Sequence, residues 1–168
     1  KEESDISDEY LEELKSVQVG GFIVFSENIT TYENTKKLIN EISKTANIPM
    51  LITIDQEGGK VQRLLSVKDK KATDIPEMKK IGDKNDMNLS YAIGTIIGEE
   101  CRSLGINTVL GPVMDVGNYK SSALKTRLIS DNPKIVLSNG IKIAEGINDV
   151  GVIPVYKHFP GIGTSKID

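Results

Sequence analysis

The sequence is poor in the residues that build disulfide-bonded domains and metal centres. Its 168 residues include one cysteine, Cys101, and one histidine, His158. A single cysteine excludes an intramolecular disulfide and any cysteine-rich metal site. One imidazole with scattered carboxylates also shows no metal-ligand spacing. We therefore predict no bound metal and no cofactor.

The chain also lacks a basic excess and a long apolar run. Twenty-one Lys and Arg residues against twenty-four Asp and Glu residues give a net charge of -3. No surplus of positive charge is present to neutralise the phosphates of a nucleic acid or an anionic membrane. No apolar run is long enough for a transmembrane helix, and no signal peptide is recognisable. We predict no nucleic-acid partner and no membrane span.

What the sequence does contain is an alternation of strand-like and helix-like segments. Phe22–Phe25 is apolar at every position, which is typical of a parallel strand buried on both faces. Thr30 and Glu33 have the spacing of a capping box that opens a helix, and Asn132-Pro133 combines a cap with a first-turn proline. Strands are predicted over residues 22–25, 50–54, 108–111 and 152–156, with a surface excursion over 66–87 and a loop over 116–130.

The repeated β–α–β order indicates an α/β fold with parallel crossovers. A Rossmann-like sheet and a (β/α)8 barrel both have this order. The glycine fingerprint of dinucleotide binding is missing, because Gly58-Gly59 lacks the third glycine and no helix is predicted after Gly161-Ile162-Gly163. A dinucleotide-binding fold is therefore disfavoured.

Polar side chains follow the predicted strands at the points where they end. Asp55 to Arg63 follow the second strand, Asp115 follows the third, and Lys157-His158 follow the fourth. In an α/β barrel the carboxyl ends of the strands form the face that carries the site. Asp55 can accept hydrogen bonds from hydroxyls, and the cationic and imidazole groups can donate them. These groups suit a polyhydroxylated ligand.

Simpler interpretations of these residues stay open at this point. Asp55 and Arg63 have the spacing of an ordinary ion pair, and a lone His158 beside Phe159 is often a packed, hydrogen-bonded residue. Cys101 lies in a predicted helix and is expected to be buried there.

Five segments, taken together and in order, resemble the β-N-acetylglucosaminidase branch of glycoside hydrolase family 3. They are Gly20–Asn28, Ile54–Leu64, Leu104–Asn107, Gly111–Val116 and Lys157–Gly161. The resemblance runs from about Val19 to Asp168. It implies a (β/α)8 barrel and removal of terminal β-linked N-acetylglucosamine with retention. The substrates would be peptidoglycan fragments or chitooligosaccharides, and the compartment, bacterial cytoplasm or cell envelope, stays open.

The resemblance also assigns roles to individual residues. The residues matching those that bind the hydroxyls of the non-reducing sugar are Asp55, Arg63, Arg127, Lys157 and His158. Asp168 aligns with the aspartate that orients the catalytic histidine, and that histidine and the nucleophilic aspartate are expected further downstream. Ile162 and Thr164 stand where the family pattern has His and Asp. They favour an alternative function, a non-catalytic relative that binds amino sugars or cell-wall fragments.

The resemblance predicts only part of a barrel in these residues. Four strands are predicted, whereas the family barrel has eight, one before the first of these and three after the last. About 250 residues are usual for such a barrel. We therefore expect residues 1–168 to be a partial barrel domain that pairs with the missing half or with a second copy, and we expect this chain alone to be inactive.

Overall fold

A computed structural model describes residues 6–167 of the chain, so Asp168 lies outside the described residues. The strands are β1 (Gly21–Val24), β2 (Leu51–Ile54), β3 (Gln56–Gly58), β4 (Val61–Gln62), β5 (Thr108–Val109) and β6 (Ile153–Pro154). The α-helices are α1 (Asp8–Val17), α2 (Tyr32–Ser43), α3 (Met78–Lys84), α4 (Met87–Ser103) and α5 (Pro133–Asp149).

Four strands form one parallel sheet in the order β1-β2-β5-β6. Parallel pairing with helical crossovers confirms the predicted α/β class. The last two strands are shorter than predicted, although hydrogen bonds continue beyond them: the Met114 amide donates to the Lys157 carbonyl at 2.7 Å. Pro112 and Pro154 have no amide hydrogen, so the regular ladder is interrupted at these residues.

Burial of the first and last strands is lower than the apolar runs predicted. Val24 is buried, whereas Ile23 and Phe25 are exposed, and so are Ile153 and Val155. The prediction of a strand covered on both faces is therefore wrong for β1, and β6 is likewise exposed. These are the two edge strands of the sheet, and within residues 6–167 each has a neighbouring strand on one side only.

The helix starts follow local capping chemistry. The Ser7 hydroxyl accepts the Tyr10 amide at 3.2 Å and caps α1. The cap of α2 is Thr31, which accepts the Asn34 amide at 3.3 Å, so the predicted Thr30 cap is wrong by one residue. Asn132 caps α5 and Pro133 occupies its first turn, which confirms that prediction.

Two elements between β2 and α4 were not predicted. Within the predicted surface excursion lies α3, whose Met78 and Ile81 are buried. Its seven residues contain only this one apolar pair. That is too little periodicity for a helix to be recognised in a lysine-rich stretch. Directly after β2, β3 and β4 form an antiparallel hairpin. Its turn uses Gly58 and Gly59 at φ +107° and +57°, where a side chain would be strained.

The helices α4 and α5 form the closest helix pair. An added Cβ at Gly94 would lie 2.0 Å from the Ile143 carbonyl oxygen, so glycine permits the contact. Cys101 is buried in α4, as predicted, and burial raises the pKa of its thiol. No helix within residues 6–167 is both long enough and apolar enough to cross a bilayer.

Candidate functional site

Seven side chains gather at the carboxyl ends of β2, β5 and β6. We call this group the rim; its members are Asp55, Glu57, Arg63, Asp115, Arg127, Lys157 and His158. The rim borders an open cleft of about 520 Å³, whose lining includes Asp115, Lys157, His158 and the segment that follows them. The parallel sheet brings these side chains together because its strand ends meet at one edge.

Asp55 stands directly after β2 and is shared by two cations. Lys157 Nζ donates to Asp55 Oδ1 at 2.7 Å, whereas Arg63 Nη2 lies 3.9 Å from Asp55 Oδ2. The ion pair with Arg63 that the spacing suggested is therefore present but long. Lys157, more than a hundred positions further along the chain, is the closer partner.

Glu57 belongs to the rim although sequence analysis did not single it out. Its side chain is only 1% exposed. Arg127 donates to it twice, from Nε to Oε2 at 2.9 Å and from Nη2 to Oε1 at 3.0 Å. Lys157 Nζ also contacts Oε1. A buried carboxylate thus joins two cations from different parts of the chain, with the bidentate geometry that arginine favours.

The two ring nitrogens of His158 have different neighbours. Its Nδ1 lies 2.6 Å from Asp115 Oδ2, and its Nε2 lies 3.3 Å from Arg127 Nη2. A carboxylate accepts hydrogen bonds and a guanidinium only donates them, so Nδ1 faces an acceptor and Nε2 faces a donor. These two contacts fix the orientation of the ring within the rim.

Asp115 anchors the segment after β6. Its side chain is fully buried, and it accepts the His158 amide at 2.9 Å and the Ile162 amide at 2.6 Å. Burial by itself raises the pKa of this carboxyl, but the hydrogen bonds from His158 and Ile162 outweigh it and leave the pKa below its ordinary value. Asp115 follows the third predicted strand, but no sequence motif assigns it a role.

Arg127 reaches the rim from the loop predicted over residues 116–130. That loop contains a short 3-10 helix, Lys125–Arg127, held by buried Leu124 and Leu128 on either side. Thr126 Oγ1 also donates to Glu77 Oε1 at 2.9 Å. The loop is therefore fixed where its arginine meets Glu57.

Ile162 has a packing role in the segment that borders the cleft. Its side chain lies against the buried cluster of Val113, Leu124 and Leu128. An added Cβ at Gly163 would lie 2.2 Å from the Val116 carbonyl oxygen, so the two backbone segments touch. At position 162 the chain therefore presents an apolar anchor and no titratable group.

The structure brings together all five residues that the resemblance assigned to sugar binding. Asp55, Arg63, Arg127, Lys157 and His158 all lie in the rim, while Asp168 lies outside the described residues. Their role in binding stays a prediction. In the part of the chain that the structure describes, no three His, Cys, Asp or Glu side chains are grouped as a metal site needs.

A parallel α/β sheet with its polar rim at the carboxyl ends of the strands defines the class of protein, an α/β domain of the barrel type. The family model of the glycosyl hydrolase family 3 N terminal domain matches residues 2–168. The chain therefore belongs to glycosyl hydrolase family 3, as part of its N-terminal domain, which confirms the family that the motifs indicated.

Individual relatives agree with this assignment. The chain is 31% identical over 175 residues to a beta-hexosaminidase of Nitrosomonas eutropha, covering 98% of this chain and 49% of the relative. Among solved structures, a family 3 beta-N-acetylglucosaminidase from Paenibacillus superposes with a TM-score of 0.88 at 33% identity, covering 98% of this chain and 32% of that one.

A further solved structure is NagZ from Neisseria gonorrhoeae in complex with N-trifluoroacetyl-D-glucosamine. It has a TM-score of 0.83 at 28% identity, with coverage of 95% of this chain and 49% of that chain. The chain thus spans about half the length of curated relatives such as those of Nitrosomonas and Photobacterium. The fold is that of the family 3 barrel domain, of which these residues form a part.

Proposed function

We propose that this chain carries the sugar-binding half of a glycoside hydrolase site. The whole protein would remove terminal β-linked N-acetylglucosamine, with retention, from peptidoglycan fragments or chitooligosaccharides. The observation that carries the proposal is the connected network that runs from Asp55 through Lys157 to Glu57, Arg127 and His158. The segments after β2 and β6, strand β3 and one loop contribute to this network, and it borders an open cleft.

The chemistry of the rim suits a sugar with several hydroxyls. Asp55 is a carboxylate with part of its surface exposed, so it can accept hydroxyl hydrogens. An ammonium group has three donors, and Asp55 and Glu57 take two of those on Lys157. The third donor is left for a ligand. Charge-assisted hydrogen bonds of this kind are roughly twice as strong as neutral ones.

The proposed reaction divides between two groups of residues. A retaining glycosidase needs a nucleophile and an acid/base on opposite sides of the glycosidic bond. By the family resemblance, the nucleophile is an aspartate and the acid/base a histidine, both downstream of Ile167, with Asp168 orienting that histidine. The rim described here would grip the sugar, so we propose that the chain by itself binds ligand without turning it over.

We also propose that the partial sheet pairs with further strands. The edge strands β1 and β6 contain exposed Ile23 and Ile153, and Phe25 and Val155 directly after them are exposed too. Unpaired strand edges favour association. The missing half of the barrel, or a second copy of the chain, would cover them. A compact monomer of 18.4 kDa in light scattering would contradict this part of the proposal.

The alternative is a relative that binds amino sugars without catalysis. Packing of Ile162 against an apolar cluster favours it, because a partly buried apolar side chain stands where the family pattern has a histidine. The names of the relatives, beta-hexosaminidase and beta-N-acetylglucosaminidase, support the hydrolase instead. We therefore propose the hydrolase and keep the binding-only relative as an outcome to be tested.

The test combines binding and turnover. The labelled chain is titrated with N-acetylglucosamine while its backbone amide signals are followed by NMR, with sorbitol as the control for a non-specific polyol. We expect saturable shifts at Asp55, Lys157 and His158 with the sugar alone. In parallel, a chromogenic N-acetylglucosaminide should not be cleaved by the chain. Equal shifts with both compounds would refute the proposed site, and clear turnover would refute the division between the two groups of residues.

A further inference from the structure

Glu57 is the most deeply buried charged group in the rim apart from Asp115. It leaves β3 with a side chain that is 1% exposed, whereas Asp55, two positions earlier, is 20% exposed. Burying a carboxylate is costly unless it is paired and hydrogen-bonded. Both oxygens of Glu57 are engaged, Oε2 by Arg127 and Oε1 by Arg127 and Lys157. The Glu57 carboxylate therefore faces two cations within the protein and not the cleft.

The position of Glu57 between two cations gives it a specific task. Arg127 comes from a 3-10 turn in a long loop, and Lys157 comes from beyond β6. Two cations brought to the same carboxylate repel each other, and a negative charge between them offsets that repulsion. The second contact of each cation leads outward, from Lys157 to Asp55 and from Arg127 to His158. Glu57 thus connects the Lys157–Asp55 pair of the rim to the Arg127–His158 pair.

We propose that Glu57 is a positioning residue, whose carboxylate sets the separation and orientation at which Arg127 and Lys157 meet the sugar. It acts through these two side chains and does not itself touch the ligand. This inference rests on the proposed function, because it assumes that the rim binds an amino sugar. It assigns to Glu57 an effect on affinity that its own lack of exposure would not suggest.

The first variant is Glu57→Gln, which preserves the shape of the side chain and removes its charge. The matched control is Glu99→Gln, the same change at an exposed position of α4. We expect the Glu57 variant to bind N-acetylglucosamine at least about tenfold more weakly. Arg127 and Lys157 would each lose a charged hydrogen-bond partner and with it their fixed position. The control should bind as the wild type does.

A double-variant comparison separates positioning from a general structural role. Glu57→Gln is combined with Arg127→Gln, and the affinity lost through the Glu57 change is measured in both backgrounds. If Glu57 acts through Arg127, the loss in the Arg127 background is smaller than in the wild type. An equal loss in both backgrounds would overturn the proposal, because a general structural effect does not depend on that arginine.

A readout without sugar keeps this proposal distinguishable from the proposed function. The Arg127 Nε–H signal, identified by its absence in Arg127→Gln, should be sharp and slow to exchange in the wild type, and broadened in Glu57→Gln. If the wild type binds no sugar, the proposed function fails, while this signal still tests whether Glu57 holds Arg127. Should the signal be unchanged in Glu57→Gln, the positioning role is wrong.

Folding of the variants is checked by the dispersion of their amide spectra. Glu57→Asp keeps the charge, but its side chain is one methylene shorter. We expect this variant to fold and to bind N-acetylglucosamine with an affinity between those of the wild type and Glu57→Gln. If both Glu57 variants lose a dispersed spectrum, Glu57 is required for folding and the positioning role is overturned.

Discussion

The contact between α4 and α5 and the rim both bury polar side chains, but they do so in opposite ways. Between the helices the network is neutral: Ser90 Oγ donates to Asn139 Oδ1 at 2.8 Å, and Asn139 Nδ2 donates to Asn85 Oδ1 and to the Ile135 carbonyl. In the rim the network consists of carboxylates, cations and one imidazole, several of them partly exposed.

The difference separates what holds the fold from what meets a ligand. In Asn139, the amide oxygen and both amide hydrogens have partners within the protein, so this network adds specificity to the helix contact and offers nothing to a ligand. The rim keeps donors and acceptors within reach of a ligand, because Asp55 and Lys157 stay partly exposed although Glu57 and Asp115 are buried. Substitutions in the two regions should therefore affect different measurements.

The largest expected effect is on the helix contact. Gly94→Ala places a Cβ against the backbone oxygen of Ile143, which no side-chain movement can relieve. We expect a loss of roughly 2–3 kcal/mol in the free energy of unfolding, as for other overpacked contacts. Urea denaturation measures it. Sugar binding by the folded fraction should not change.

Gly20→Ala is the control for this substitution, since no atom lies within 4 Å of the added Cβ. It should leave the free energy of unfolding nearly unchanged. The buried thiol of Cys101 in α4 offers a second measurement: labelling by a maleimide should be slow in the wild type and faster in Gly94→Ala. Equal labelling rates would show that the helix contact tolerates the methyl group.

The second largest effect on stability is expected for Asp115→Asn, and its dependence on pH shows whether the charge of Asp115 is responsible. Asp115→Asn removes the anion that accepts hydrogen bonds from His158 and Ile162, and we expect a loss of about 2 kcal/mol in unfolding free energy at neutral pH. The folded pKa is below the unfolded value of about 3.9, so the ionised carboxylate contributes its full stability above that value. This contribution is lost as the pH falls through the lower, folded pKa.

The difference between wild type and Asp115→Asn should therefore be constant near neutral pH and should narrow below about pH 4. Urea denaturation at several pH values measures it for both proteins. A difference that stays constant down to the acid range would mean that the Asp115 charge is not what anchors the segment after β6.

The smallest effect on stability, with the largest on binding, is expected at Asp55. Asp55→Ala removes a partly exposed acceptor of the rim and one partner of Lys157, and should abolish N-acetylglucosamine binding. The free energy of unfolding should change by about 1 kcal/mol or less, because the side chain is partly exposed and contributes little to the core.

Calorimetric titration and urea denaturation of Asp55→Ala measure the two quantities, with Asp131→Ala at an exposed position as the control. Unchanged affinity would make Asp55 a structural residue and would displace the proposed site from this edge of the sheet.

Much of the fold is predictable because its signals are local. Apolar runs and caps such as Asn132 depend on residues a few positions apart. They located the parallel strands and the start of α5 correctly, and the start of α2 to within one residue. The α3 helix was missed because its apolar pair is too short to produce a period. Exposure of Ile23 and Ile153 was also missed, since an apolar run does not reveal whether its strand lies at an edge.

Some residues of the rim were likewise predictable from local signals, and others were not. Asp55, Lys157 and His158 were found because they directly follow predicted strands, and Arg127 only through the family resemblance. No pattern distinguished Glu57 from its neighbour Gln56, although both are buried. What marks Glu57 is its contact with Arg127, 70 positions away, which no spacing rule encodes.

Local patterning thus accounts for which segments are strands, where helices begin and which strand ends carry charge, because each depends on neighbours within one or two turns of chain. Three features depend on the packing of separate segments: the pairing of Glu57 with two distant cations, the contacts of His158 with Asp115 and Arg127, and the exposure of the edge strands. Those features depend on contacts between segments that are far apart in the sequence, and local sequence patterns do not indicate such contacts.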